Sequence, residues 1–206
     1  MVKGPFDGLI GHDRVIGLLE NEISAPAHAY LFAGPSSVGK ATVAHRFAAA
    51  LLCDHGGQHD VPCSSCRRST SGNHPDLLAV EPDGRTALSV EQARATVAQA
   101  PMSPVEGDRK VFVFDEAGSM SEQAANALLK TLEEPTASTV FVLVVESEDD
   151  LPATIASRCR TVQFGRVREE VLVAALRQRG LGEEQAGEAA RISGGRPGLA
   201  LGLATN

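Results

Sequence analysis

The segment Gly34-Pro35-Ser36-Ser37-Val38-Gly39-Lys40 follows the apolar run Ala29-Tyr30-Leu31-Phe32-Ala33 and precedes a helix-forming stretch from Thr42 to Leu52. A strand, a glycine loop and an amphipathic helix in that order make a cradle for phosphate. The glycines let backbone N–H groups converge on an anion, the helix N-terminus adds the positive end of its dipole, and Lys40 can reach the outer phosphates. A glycine turn between strand and helix needs no nucleotide by itself; the lysine and both flanking elements favour the phosphate reading. Gly34, Pro35, Ser36, Ser37, Val38, Gly39, Lys40, Ala41 and Thr42 are therefore the candidate set for ATP or ADP. Position 41 is Ala where Mg²⁺ chemistry calls for a Ser or Thr hydroxyl, and Thr42 lies about 100° further round the helix. The Mg²⁺ site is expected to be defective.

A second constellation is Val111-Phe112-Val113-Phe114-Asp115-Glu116, which puts two acids at the C-terminal end of a buried strand, where ligands of parallel sheets collect. Behind a phosphate loop, the first acid can hold Mg²⁺ and the second can polarise an attacking water. Two solvated acids at a strand end are the alternative; the upstream loop favours the nucleotide-facing one.

Alternating elements must position these groups. Asp13 to Ile23 has helical apolar spacing, and Phe6 to Gly11 before it is a loop with apolar anchors. Cys53 to Ser71 reads as an excursion from the sheet. Asp76 to Glu81 is a short strand, and Ser89 with Gln92 forms a capping box for a helix running to about Gln99. Lys110 to Asp115 is a strand, Ser121 opens the helix Glu122 to Leu132, and Thr139 to Val145 is a further apolar strand. A turn over Leu151 to Ser157 leads to a last strand, Thr161 to Phe164. Strands that are apolar throughout and alternate with helices imply a parallel sheet covered on both faces. Beyond a boundary after Phe164, Glu169 to Arg179, Glu183 to Ile192 and Pro197 to Leu203 are enough for a small helical lid.

With 206 residues the chain can bury a core without staples, and its net charge of −7 argues against a free-standing nucleic-acid binder. There is no Trp and one Tyr, which disfavours a base-stacking platform. The N-terminus lacks an apolar signal region and Val140 to Val145 is too short to cross a bilayer, so a cytoplasmic protein is expected, with no membrane partner. The four cysteines are expected to be reduced or on a metal.

Asn126-Ala127-Leu128-Leu129-Lys130-Thr131-Leu132-Glu133-Glu134-Pro135, Leu151-Pro152-Ala153-Thr154-Ile155 and Ser157-Arg158-Cys159 resemble the signature of bacterial clamp-loader AAA+ subunits. His28-Ala29-Tyr30-Leu31-Phe32 and His74-Pro75-Asp76-Leu77 add to it, and the match runs nearly the whole length. Val80-Glu81-Pro82-Asp83-Gly84 and Val90-Glu91-Gln92-Ala93-Arg94 are more similar to the delta-prime type of DNA polymerase III than to the ATP-hydrolysing gamma/tau type. The resemblance implies an α/β AAA+ P-loop sheet sandwiched by helices over residues 1–165, with the Cys-rich insertion at 53–71. It implies a helical lid over 166–206; the collar domain that normally follows in the family is expected to be absent from this chain, as a fragment or as a short homologue. It implies a pentamer subunit that helps load a sliding clamp on primed DNA, with gamma/tau and delta types as partners and the clamp and DNA met through the complex. It places Arg158 where an arginine projects at a neighbouring subunit's ATP, stabilising transition-state charge in trans; a solvated arginine near a helix end is the alternative.

Departures from the motor pattern bear on turnover. Glu146 stands where motor subunits carry a polar sensor and would repel a terminal phosphate, unless it faces solvent and leaves Ser147 in its place. Pro197 replaces the lid arginine, and Arg196 one step earlier should point elsewhere. Ala41, Glu146 and Pro197 together predict a stator without ATP turnover of its own. A gamma/tau-like motor, supported by Lys40, Asp115 and Glu116, is the alternative. Cys53, Cys63 and Cys66 resemble the zinc module of these subunits, whose fourth cysteine is Ser69 here. His55, His59 or His74 would have to complete four ligands, or the thiols belong to a decayed site; redox chemistry of Cys63 and Cys66 is disfavoured. Phe6 to Gly11 resembles the segment beside the adenine pocket, or is an anchor for the first helix. Arg67, Arg68 and Arg85 could meet DNA or a partner, or be solvated surface.

Overall fold

The computed structural model describes residues 4–82 and 87–205. Strands β1 (Ala29–Ala33), β2 (Leu77–Val80), β3 (Lys110–Phe114), β4 (Thr139–Val145) and β5 (Arg160–Gln163) form one sheet in the order β2-β3-β4-β1-β5. Every neighbouring pair is parallel, with Tyr30 opposite Val142 and Arg160 and with Phe112 opposite Phe141 and Leu78. β1, β3 and β4 are buried along their whole length, as continuous apolar strands covered on both faces should be.

Alternation along the strands divides the core. Tyr30 and Phe32 point to one face and pack with Leu19 and Phe47, from helices α1 (Asp13–Glu22) and α2 (Lys40–Leu51). Leu31, Phe112 and Phe141 point to the other and pack with Ala93 and Leu128, from α4 (Val90–Gln99) and α5 (Glu122–Glu133). The helix α3 (Ser64–Thr70) lies between α2 and β2 in sequence. Each fully buried Leu or Phe contributes about 1.5–3 kcal/mol relative to an exposed one, so the two faces are the main source of stability. A separate core of Leu172, Leu176, Ala190 and Ala200 holds α7 (Glu169–Gln178), α8 (Glu183–Ser193) and α9 (Pro197–Ala204) together. The expected parallel α/β sheet between helices, with a helical lid after it, is borne out.

Local differences have identifiable causes. The helix after the glycine loop begins at Lys40 rather than Thr42, because Gly39 at φ 104° makes the turn into it. The Cys-rich excursion contains α3, nucleated where Cys63 Sγ accepts from Cys66 N. Asp76 drops out of the strand because its buried carboxylate accepts from Val105 N at 2.6 Å and Glu106 N at 2.7 Å. The turn after Leu151 winds one short helix, α6 (Ala153–Ala156). The last strand starts one residue early and ends at Gln163, and Phe164 N closes it on Ala33 O at 2.7 Å. The Ser89 capping box forms as predicted, with both reciprocal bonds to Gln92. Arg85, and Asp83 and Gly84 of the delta-prime-like segment, lie outside the described residues.

Candidate nucleotide cleft and metal cluster

The loop from Gly34 to Gly39 sits at the C-terminal end of β1, and its shape depends on two close approaches. A Cβ on Gly34 would lie 2.2 Å from the Phe164 carbonyl oxygen, so only glycine lets the loop cross the exit of β5. On the lid side, Gly198 N donates to Ser37 O at 2.9 Å, which docks the first turn of α9 on the loop. His12, itself left-handed at φ 65°, bonds Val38 O through Nε2 at 2.8 Å and packs edge-on against Phe164. This places the end of the Phe6 to Gly11 segment against the loop. None of these three contacts is visible as a motif. The glycine of Gly-Arg-Pro-Gly at 195–198 was the available signal for the lid contact.

The loop opens on a cleft of about 760 Å³. Ser36, Ser37, Gly39, Lys40, Ala41 and Thr42 line one side, and Asp115, Glu116 and Glu146 line the other. Gly34, Pro35 and Val38 shape the loop from behind. Lys40 is buried, and its Nζ donates to Gly34 O and Pro35 O at 2.7 Å each. Burial holds its pKa below the usual lysine value, against the opposing pull of Glu146, Asp115 and Asp150. An incoming phosphate would meet a Lys40 with two of its three N–H donors already on carbonyls, and would face the carboxylates of Asp115, Glu116, Glu146 and Asp150.

The acids are fixed by local bonds. Asp115 Oδ1 accepts from Glu116 N at 3.0 Å, and Glu116 takes a left-handed conformation at φ 55° that turns the chain out of β3. Asp150 Oδ2 accepts from Glu146 N and Ser147 N and packs on Gly118, where a Cβ would lie 2.8 Å from its own. Ser147 is consumed as the cap of that turn, while Glu146 faces the cleft. Sequence reasoning missed Asp150; Ser147-x-x-Asp150 is a capping box that could have pointed to it. Arg196 donates through Nε to Ser193 O at 2.8 Å, away from the cleft, and Pro197 is buried at the start of α9.

Arg158 lies outside the cleft. Its guanidinium donates to Glu133 Oε1 and to Thr154 O, each at 2.6 Å, on the surface beyond α5 and α6. The structure thus brings the phosphate loop and the strand-end acids together, and keeps Arg158 apart from both.

The cysteines converge with a histidine. Ligand atoms of Cys53, His59, Cys63 and Cys66 all lie within 4.8 Å of one another. Cys53 Sγ and Cys63 Sγ are 3.7 Å apart, close to the edge of about 3.8 Å that four ligands at ~2.3 Å define around tetrahedral Zn²⁺. His59 Nε2 lies 3.1 Å from Cys66 Sγ. The donor set, three thiols and an imidazole, suits Zn²⁺. Of the three candidate histidines, His59 is the one in the cluster. His74 instead accepts from Asp76 N through Nδ1 at 3.1 Å, and Ser69 is buried outside the set with no partner for its hydroxyl among the described residues. Burial and the neighbouring thiols push the Cys66 thiol well above its usual pKa, a penalty that a bound cation would reverse. Burial pushes Cys159 up to about 12, which leaves it inert. Arg67 and Arg68 are both engaged, on Pro62 O and on the Glu106 carboxylate.

A family model described as DNA polymerase III, delta subunit, matches residues 11–168. The Bacillus subtilis DNA polymerase III subunit delta' is 42% identical over 158 residues, 73% of this chain and 46% of that protein. The tau subunit of the same organism is 33% identical over 173 residues, 82% of this chain and 30% of that one. The chain thus spans less than half the length of these relatives. In fold, it is similar to a DNA polymerase III gamma subunit-related protein of Thermotoga maritima, with a TM-score of 0.64 at 22% identity, over 94% of this chain and 58% of the other. No helix among the described residues is long and apolar enough to cross a membrane. With a parallel sheet in the order β2-β3-β4-β1-β5, a glycine loop at the end of β1 and this sequence match over most of its length, the chain belongs to the DNA polymerase III delta subunit family of clamp-loader proteins.

Proposed function

We propose that this chain is a delta-prime-type stator of a cytoplasmic clamp loader, which helps place a sliding clamp on primed DNA and supplies Arg158 to the ATP site of an adjacent gamma/tau-type subunit. The observation that carries this reading is the separation of Arg158 from the chain's own cleft, beside α6 rather than beside Lys40. A planar cation delivered from a neighbour adds transition-state charge stabilisation that can raise turnover by several orders of magnitude. The N-terminal unit to residue 165 would present this face, with the lid from 166 docked on the loop.

The cleft itself supports nucleotide occupancy without efficient turnover. ATP or ADP would meet the loop and Lys40, but Ala41 offers no hydroxyl to Mg²⁺ and Glu146 faces the space of a terminal phosphate. Cys53, His59, Cys63 and Cys66 would hold Zn²⁺ as a structural ion at the C-terminal end of α2, opposite the end that carries Lys40. A second reading, a self-sufficient motor, is favoured by one observation: Lys40, Asp115 and Glu116 line the same cleft.

ATP turnover separates the two. The stator reading expects no turnover by the chain alone, stimulation on mixing with a gamma/tau-type subunit, and loss of that stimulation in Arg158→Ala. Turnover by the pure chain that disappears in Lys40→Ala would replace it with the motor reading.

A further inference from the structure

Glu133 is the last residue of α5, where the negative end of the helix dipole disfavours a carboxylate. Such a break with local preference calls for compensation elsewhere in the fold. The compensation is Arg158, whose Nη2 donates to Glu133 Oε1 at 2.6 Å across 25 residues of sequence. Nη1 donates to Thr154 O at 2.6 Å and lies 3.4 Å from Ser157 Oγ. The arginine side chain keeps 32% of its surface exposed. A guanidinium has five N–H donors in a rigid fork, so these bonds fix its plane and leave donors free to meet an anion.

We propose that Glu133 is the positioning residue for Arg158. Its carboxylate holds the guanidinium in the orientation in which the remaining N–H groups meet the phosphoryl oxygens of a polyphosphate bound to the neighbouring subunit. The inference rests on the trans role of Arg158. An exposed ion pair of this kind contributes little to fold stability, and its value here is orientation: an unheld arginine must be ordered at the moment of reaction.

Two measurements on Glu133→Ala, Glu133→Gln and Arg158→Ala test it. In the chain alone, the Arg158 side-chain N–H signals in NMR are expected to be distinct in wild type and Glu133→Gln and to collapse to averaged signals in Glu133→Ala. In a complex with an ATP-hydrolysing gamma/tau-type subunit, Glu133→Ala is expected to lower kcat roughly two- to fivefold with KM for ATP unchanged. Glu133→Gln, which keeps an acceptor, should recover at least half of that loss. Unchanged Arg158 signals in Glu133→Ala, or an unchanged or raised kcat where Arg158→Ala abolishes stimulation, would overturn the positioning role alone. No effect of Arg158→Ala would overturn the trans role instead. The NMR measurement needs no partner subunit, and a melting temperature equal to wild type shows that the variants fold.

Discussion

Replacing Gly34 by Ala isolates the contact that places the phosphate loop. A Cβ at this position would sit 2.2 Å from Phe164 O, a backbone atom whose residue is anchored by its N–H on Ala33 O. Neither partner can swing aside. Overpacking of this kind costs ~1–3 kcal/mol, and a φ of 154° adds strain for an L residue of roughly 1–3 kcal/mol. The sum, about 4 kcal/mol, corresponds to a fall in Tm of roughly 8–16 °C for a chain of this size. Gly39→Ala is the internal control: its φ is 104°, but none of the described residues lies within 4 Å of the added Cβ. Strain alone predicts roughly 1–2 kcal/mol there, or a fall of about 2–8 °C. Thermal unfolding followed by circular dichroism, under identical buffer and metal conditions, reads both. Because strain is common to both variants, Gly34→Ala should melt below Gly39→Ala by the steric term of ~1–3 kcal/mol, about 2–12 °C; if the two melt within about 2 °C of each other, the loop is not held by the β5 exit and the steric reasoning is wrong.

Three further outcomes are expected. His74 is held below the usual histidine pKa, first by burial and then by Arg68, so the folded state binds fewer protons than the unfolded one. Stability should therefore fall as pH drops from about 6.5 toward the lowered value, and His74→Asn should flatten that part of a urea-unfolding profile. Asp76→Asn turns one of two backbone-accepting oxygens into a donor; a loss of about 2 kcal/mol in chemical denaturation is expected, and a loss under ~0.5 kcal/mol would refute the two-bond reading. Zinc content of about one ion per chain is expected by atomic spectroscopy, with removal by a chelator lowering Tm and His59→Ala lowering zinc retention. Equal retention in His59→Ala would remove that residue from the ligand set.

Much of the sheet was legible because burial on both faces leaves a continuous apolar signature, as in Val140 to Val145 and Val111 to Phe114. The glycine loop and the strand-end acids were legible for the same reason that they share a cleft: both sit at strand C-termini. What the sequence hid was tertiary. Nothing local says that Gly198 reaches Ser37, that Asp150 folds under Glu146, or that Arg158 meets Glu133. The fourth metal-cluster residue was left among three histidines, because spacing says which side chains are near in sequence and only packing brings His59 onto Cys66.

The strand order also sets a timetable. β1 leaves the ribosome before every other strand of the sheet, yet its two neighbours, β4 and β5, are the last two to follow. Between Ala33 and Thr139 about a hundred residues must be made before Tyr30, Leu31 and Phe32 can pair with anything in the sheet. At ~5–20 residues per second that is roughly 5–20 s during which an uncharged, aromatic strand waits unpaired. Long-range parallel pairing is also slow in itself. An unpaired β1 should therefore depend on chaperone cover while the residues up to β4 are made, and the glycine loop can acquire its shape only once the exit of β5 has been made.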